Sequence, residues 1–100
     1  MVYHGVQLPE EEIAALCRRH HIRRLSLFGS ILSDEFRPES DVDMLVEFEP
    51  GKTPGLEFFG IQRELSALLG RPVDLSTPKD LSRYFRDEVL SEARPLYAQA

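Results

Sequence analysis

The sequence predicts a small α/β domain in which helices cover one face of a β-sheet. Two observations support this fold class. Segments with helical and strand-like apolar patterns alternate along the chain, and no repeat, low-complexity tract or long linker interrupts them. A chain of 100 residues is long enough for one hydrophobic core but too short for an additional substrate-binding domain. We therefore expect residues 1–100 to form a single domain.

The N-terminal half contains one predicted helix and two predicted strands. Pro9 fits the first turn of a helix, with glutamates after it and Arg18–Arg19 near its end, as the helix dipole favours. A short buried strand over Leu25–Phe28 and a longer strand over Asp41–Phe48 follow. The apolar stripe of the helix consists of Ile13, Leu16 and Cys17.

The C-terminal half predicts two further helices and a third strand. Apolar residues at helical spacing between Phe58 and Leu69 indicate an amphipathic helix that ends at Gly70. The strand Pro72–Leu75 follows, and Thr77–Asp80 has the cap, proline and acidic residue of a helix start. Pro95 should end that last helix, leaving two apolar residues on a tail that packs back or binds a partner. The stripe of this helix would be Leu81, Phe85 and Val89.

Aspartates interrupt the predicted strands on one side of the sheet. Side chains alternate along a strand, so Asp41 and Asp43 project from the same side, roughly 6–7 Å apart. Asp74 in the next strand lies outward in the same way, between Val73 and Leu75. Three carboxylates can therefore meet on one sheet surface. The opposite, apolar side of the second strand carries Val42, Met44, Val46 and Phe48.

The carboxylates and the preceding Gly29–Ser30 turn suggest a chemistry. Two carboxylates at that separation repel by roughly 2–3 kcal/mol at an effective dielectric constant near 20, and a cluster of three oxygen ligands suits Mg²⁺ or Mn²⁺. Glycine permits a tight turn, and Ser30 can cap a following helix whose free N–H groups would face an anion. Carboxylates for metal and amides for phosphate together indicate metal-assisted nucleotidyl transfer.

At these residues the sequence resembles the minimal nucleotidyltransferases of the DNA polymerase beta superfamily. The resemblance extends over nearly the whole chain and depends on the order of the glycine-serine turn, the Asp-Val-Asp motif and the later aspartate. It implies a small mixed sheet with flanking helices, two divalent metals, and transfer of a nucleoside monophosphate from a nucleoside triphosphate to a hydroxyl. ATP is the expected donor.

The resemblance also implies a role for each residue of the motif. Asp41 and Asp43 would hold both metals. Asp74 would hold the catalytic metal and help to deprotonate the acceptor hydroxyl. Gly29 and Ser30 would bind the triphosphate.

The segment Ile31–Asp34 departs from the usual family pattern. Minimal members commonly have Gly-Ser-Arg-Ala-Arg-Gly here, so two guanidinium groups are missing and a carboxylate is added near the expected phosphates. Ile31→Arg with Asp34→Gly would then restore part of the phosphate-binding chemistry. Farther along, Arg37–Pro38 and Ser40 fit the pattern again, and Ser40 is expected at the nucleotide.

Plainer interpretations exist for the conspicuous residues. The aspartates could line a solvated sheet edge, or cap a turn in the case of Asp41, but neither explains Gly29–Ser30 at the matching distance. The basic segment Arg18–Arg24 could contact RNA, although cations at the end of a helix are ordinary. Cys17 fits a small core residue better than a nucleophile.

Composition limits the partners and the compartment. The formal net charge of −5 disfavours broad attraction to nucleic acid. No apolar stretch is long enough to span a bilayer, and the N-terminus lacks a signal-peptide pattern. A single cysteine cannot form an internal disulfide, which fits a reducing cytoplasm.

The resemblance leaves two classes of function open. Small family members are commonly paired with a helical HEPN protein, a ribonuclease-type toxin, and act as its antitoxin by attaching AMP to a tyrosine. Alternatively, the Ile31–Asp34 change weakens the nucleotide site, and the chain neutralises such a toxin by binding alone. Both imply a HEPN toxin partner and a possible oligomer with it, but only the first requires Asp74. A small-molecule acceptor, such as an antibiotic hydroxyl, is less favoured because no acceptor domain is visible.

Overall fold

The computed structural model describes residues 2–99. These residues form a two-stranded β-hairpin, a four-stranded mixed sheet and three α-helices. Two short 3₁₀ helices, Gly29–Leu32 and Pro78–Asp80, connect these elements. In chain order the elements are β1 (Val2–Tyr3), β2 (Val6–Gln7), α1 (Glu10–Arg19), β3 (Ile22–Phe28), β4 (Val42–Phe48), α2 (Glu57–Leu69), β5 (Val73–Ser76), α3 (Arg86–Glu92) and β6 (Arg94–Ala98).

The main sheet has the strand order β5-β4-β3-β6. β3 pairs antiparallel with both β4 and β6, whereas β4 and β5 run parallel. A parallel pair needs a crossover connection, and α2 supplies it between β4 and β5. The α2 helix ends at Gly70, whose φ of 70° is the left-handed conformation expected of a glycine C-cap.

One face of the sheet and two helices form the hydrophobic core. Strand register places Leu25 opposite Val46 and Val42 opposite Val73, so their side chains line the same face. The apolar stripes of α1 and α2 pack on it, which confirms the predicted α/β class with helices on one side of a small mixed sheet. The buried members of this core include Leu25, Leu27, Val42, Met44, Val46, Val73 and Leu75 from the sheet, and Ile13, Leu16, Cys17, Ile61, Leu65 and Leu69 from the helices.

Cys17 belongs to this core, as the sequence predicts. Its side chain is fully buried, and burial raises the pKa of the thiol to about 12. The thiol therefore stays protonated near neutral pH and is a poor nucleophile. Across residues 2–99, no helix has the length and apolar character needed to cross a bilayer.

The structure corrects the predicted C-terminal elements. The capping box of Thr77 and Asp80 is present, but it starts a three-residue 3₁₀ helix, and α3 begins only at Arg86. Pro95 does not follow the helix on a tail. It lies inside β6, at the edge of the sheet, where the missing N–H of proline is tolerated. The adjacent Leu96 and Tyr97 pack against the core. β3 also begins earlier than predicted, at Ile22.

Arg71 fixes the loop that leads into β4. Its Nη2 donates hydrogen bonds to the carbonyl oxygens of Arg37 (3.2 Å), Pro38 (2.7 Å) and Ser40 (2.7 Å). The guanidinium also lies 4.7 Å from the centre of the Phe36 ring, a cation–π distance. One side chain thus ties a loop without regular structure to the start of β5.

Replacing Arg71 by Met should destabilise the fold, because three carbonyl oxygens lose their charged donor while the aliphatic stem is kept. We expect a loss of about 1–3 kcal/mol in the free energy of unfolding, measured by urea denaturation. Arg63→Met is the matched control, since Arg63 is exposed on α2. Equal urea midpoints for the two variants would show that the loop does not depend on Arg71.

Candidate active site

Asp43 and Asp74 are neighbours on the face of the sheet opposite the core. The parallel register of β4 and β5 pairs Asp43 with Asp74, flanked by the pairs Val42–Val73 and Met44–Leu75. Adjacent strands lie about 4.8 Å apart, so two carboxylates leave the sheet side by side. Asp43 is half-buried and Asp74 is exposed.

Asp41 is exposed and lies just before β4, which begins at Val42, one residue later than the strand start predicted at Asp41. The charge of Asp41 nevertheless affects Asp43. Burial, then the Asp74 charge, then the Asp41 charge raise the pKa of the Asp43 carboxyl above its ordinary value. In the described part of the chain, none of the three carboxylates forms an ion pair or a side-chain hydrogen bond. Their mutual repulsion is therefore not relieved by the protein itself.

These oxygens fit a hard divalent cation by chemistry and charge. Between residues 2 and 99, however, no group of three acidic, histidine or cysteine side chains is already arranged to hold a metal ion. Coordination by Asp41, Asp43 and Asp74 together would thus require at least one of these side chains to rotate. Such rotation is a small change for two carboxylates that are exposed.

Gly29 brings the main chain against the Asp43 carboxylate. Its φ is +77°, a left-handed conformation that side chains rarely adopt. A Cβ added here would lie 3.2 Å from Asp43 Cγ and still closer to its Oδ2. Only glycine meets both conditions, so the turn after β3 can approach the carboxylate.

Ser30 does not cap a helix, contrary to the sequence prediction. It lies inside the 3₁₀ helix Gly29–Leu32, whose N-cap position is Phe28 in extended conformation. The helix ends within one turn, where the Ser33 N–H donates to the Ser30 carbonyl oxygen (2.9 Å). The sequence motif identifies the turn correctly but assigns its serine to the wrong helical position.

Ser40 shapes the loop before Asp41. Its Oγ accepts a hydrogen bond from the Arg37 N–H (3.0 Å), and its carbonyl oxygen accepts one from Arg71. The residue expected at the nucleotide is thus engaged in holding a turn. Arg71 is the contributor that sequence reasoning missed, because its partners lie more than 30 positions away in the sequence.

The structure overturns the expectation for position 31. Ile31 is fully buried in the core, so an arginine there would bury an unpaired charge rather than face phosphates. The exposed positions of the same segment are Ser33 and Asp34. The pattern of apolar residues in the sequence does not show which residues of this tight turn face the core and which face outward.

Two cavities lie near these residues, one at Asp74 and one beside Gly29. One of about 610 Å³ is lined by Asp74, Gln62, Thr77 and the aromatic rings of Phe58 and Phe59. The two rings meet edge to face, with centroids 6.0 Å apart, and Phe59 is exposed rather than part of the core.

The other cavity, of about 600 Å³, lies beside Gly29, between the 3₁₀ helix and the end of α3. Of the three carboxylates, Asp74 lines the first cavity, and none lines the second. Gly29, which lies against the Asp43 carboxylate, lines the second.

Comparison with known proteins identifies relatives over most of the chain. Residues 10–96 match the family model of the nucleotidyltransferase domain. A candidate protein adenylyltransferase of Methanocaldococcus jannaschii is 34% identical over a match that covers 84% of this chain and 89% of that protein. The protein adenylyltransferase MntA of Thermococcus cleftensis is 38% identical over 77% of each chain.

Solved structures share the fold. A candidate minimal nucleotidyltransferase superposes with a TM-score of 0.72 at 40% identity, covering 86% of this chain and 87% of that one. A complex of a tri-AMPylated HEPN toxin of Shewanella oneidensis with its MNT antitoxin gives a TM-score of 0.64 at 21% identity, covering 90% and 70%. The latter likeness concerns the fold alone. The matched domain and the relatives together show that this chain belongs to the nucleotidyltransferase domain family.

Proposed function

We propose that the protein transfers AMP from ATP to a tyrosine hydroxyl of a HEPN-family toxin and thereby acts as its antitoxin. The observation that carries this proposal is the pairing of Asp43 with Asp74 beside the close-approach glycine, Gly29. The names of the relatives support protein adenylylation, and the fold neighbour bound to an AMPylated HEPN toxin supports the choice of partner.

The proposed reaction requires divalent cations, Mg²⁺ or Mn²⁺. Asp41, Asp43 and Asp74 would hold them, because the three carboxylates repel one another and have no partner among residues 2–99. When bound, such cations neutralise the charge on the triphosphate and favour ionisation of a nearby hydroxyl. The raised pKa of Asp43 agrees with a site whose charge is balanced only by ligands.

In this proposal the Gly29–Ser30 turn binds the phosphates, and Asp74 binds the acceptor hydroxyl. Gly29 allows the backbone of the turn to approach the phosphates, and Ser30 follows it at the start of the 3₁₀ helix. Asp74 is exposed beside the cavity with the two phenylalanine rings, where an acceptor hydroxyl can reach it and hydrogen-bond to its carboxylate. An aromatic acceptor such as tyrosine would find ring edges and faces to pack against there.

A second candidate function is neutralisation of the toxin by binding without catalysis. The charge of the segment after Gly29 favours it, because residues 29–35 contain Asp34 and Glu35 but no lysine or arginine. Two carboxylates near a triphosphate weaken its binding. The two candidates differ in their dependence on Asp74, which only catalysis requires.

Metal with ATP should raise the melting temperature more than either does alone. Ligands that bind only the native state stabilise it by about 2.7 kcal/mol at a hundredfold excess over the dissociation constant, and thermal unfolding measures the shift. Asp41→Asn with Asp43→Asn should abolish the metal-dependent part. Near neutral pH and without metal, the same double variant should melt at a higher temperature than wild type, because it removes a carboxylate whose burial, and whose repulsion by Asp74 and Asp41, raise the pKa of Asp43 and so destabilise its charged form in the fold. An unchanged metal-dependent shift in this variant would place the cation elsewhere.

Asp74→Asn should separate catalysis from binding. Incubation of the wild type with its toxin partner, ATP and Mg²⁺ should add the mass of AMP to the toxin, as intact-mass spectrometry detects. The variant should lower that rate at least 100-fold and leave the complex intact, because Asn is nearly isosteric and the flanking Val73 and Leu75 stay buried. Asp87→Asn on the exposed side of α3 is the matched control. Neutralisation without mass addition by all three proteins would favour the binding function.

A further inference from the structure

We propose that Arg94 binds the phosphate groups of the nucleotide in the cavity beside Gly29. This inference rests on the proposed function and deepens it, because it names the cation that accompanies the glycine turn.

The turn after β3 cannot by itself balance the charge of a triphosphate. Residues 29–35 contain no lysine or arginine, and they add Asp34 and Glu35 to the nearby carboxylates. The 3₁₀ helix Gly29–Leu32 has only four residues, so its N–H groups are few. A bound triphosphate therefore needs a cation from another part of the chain.

β6 brings such a cation to the turn. The pairing of β6 with β3 places the backbone of Arg94 opposite Leu27, two residues before Gly29. By this register its side chain leaves the strand on the side of Leu27, and because β6 is an edge strand and Arg94 is exposed, the long side chain can reach around the open edge of the sheet. Arg94 lines the 600 Å³ cavity together with Gly29 and Ser33. Among residues 2–99, it is the one lysine or arginine that lines this cavity. Because Pro95 follows it, the backbone of Arg94 is restricted to extended conformations, which holds it in this position.

The Arg94 guanidinium is available for a ligand. Within residues 2–99 it forms no ion pair or hydrogen bond, whereas Arg19 and Arg23 pair with glutamates and Arg71 and Arg86 donate to carbonyl oxygens. Glu92 lines the same cavity but is not paired with Arg94. A free guanidinium presents a planar fork of donors that matches phosphate oxygens.

Isothermal titration calorimetry with Mg²⁺ and ATP, inorganic triphosphate or adenosine tests this role. Arg94→Gln should weaken binding of ATP and of inorganic triphosphate by about 10- to 100-fold and leave adenosine binding unchanged. Arg24→Gln is the matched control, since Arg24 is an exposed arginine at the other end of the same pair of strands. It removes the same charge and should change each affinity less than about twofold.

A charge placed on the opposite wall should compensate. Ser33 is exposed and lines the same cavity, so Ser33→Arg in the Arg94→Gln background should recover most of the lost affinity. Arg94→Lys should lose only a few-fold, because it keeps the charge without the fork.

The outcomes separate this inference from the function on which it rests. If Arg94→Gln binds ATP as tightly as Arg24→Gln does, or loses adenosine affinity equally, the phosphate role is overturned while the nucleotidyltransferase proposal stands. If the wild type binds inorganic triphosphate through Arg94 but does not bind ATP, the proposed function fails and the phosphate site stands. If the wild type binds neither, both are overturned.

Discussion

The parallel pairing of β4 with β5 is the constraint on which the site depends. Its register puts Val42 against Val73 and Met44 against Leu75 in the core, and the same register puts Asp43 against Asp74 on the other face. Burial of the apolar pairs stabilises the strands by more than the repulsion of the two carboxylates destabilises them. Each fully buried aliphatic side chain contributes about 1.5–3 kcal/mol, whereas two carboxylates near water repel by much less. The sheet can therefore hold like charges together without a counterion.

The loops around this pair are fixed by contacts that the sheet does not provide. Arg71 hydrogen-bonds the carbonyl oxygens before Asp41, and Gly29 rests against Asp43 without an intervening side chain. Both residues restrict where a carboxylate or a backbone amide can lie, although neither adds a charge to the acidic cluster. The aspartates thus provide the negative charge of the site, and Gly29 and Arg71 restrict the positions of the turn and the loop next to these aspartates.

Much of the fold, and the placement of Asp43 beside Asp74, are predictable from the sequence because periodicity marks them. Alternation around Asp43 and Asp74 follows from the two-residue repeat of strands, and Gly70 marks the end of α2. The strand β6 was missed because proline usually signals an end, and only the edge position in the folded sheet makes Pro95 acceptable.

The burial of Ile31 and the role of Arg71 also escaped prediction, for a different reason. Both depend on contacts between residues distant in sequence, such as Arg71 and Pro38, which are 33 positions apart. A local pattern contains no information about such contacts. The turn after Gly29 has the motif of a phosphate-binding segment, but which of its side chains face inward is decided by the core beneath it.

The strand order has a consequence for how the protein folds. β3 and β4 are joined by residues 29–41 alone, whereas β3 and β6 meet only after residues 29–93 have been looped out. The entropy lost in closing a loop increases with its length, so contacts between β3 and β4 should form before those with β6. The strand that carries Asp43 would then belong to the early folding nucleus, and the edge strand with Arg94 would join last. One wall of the cavity beside Gly29 would be complete only in the final step of folding.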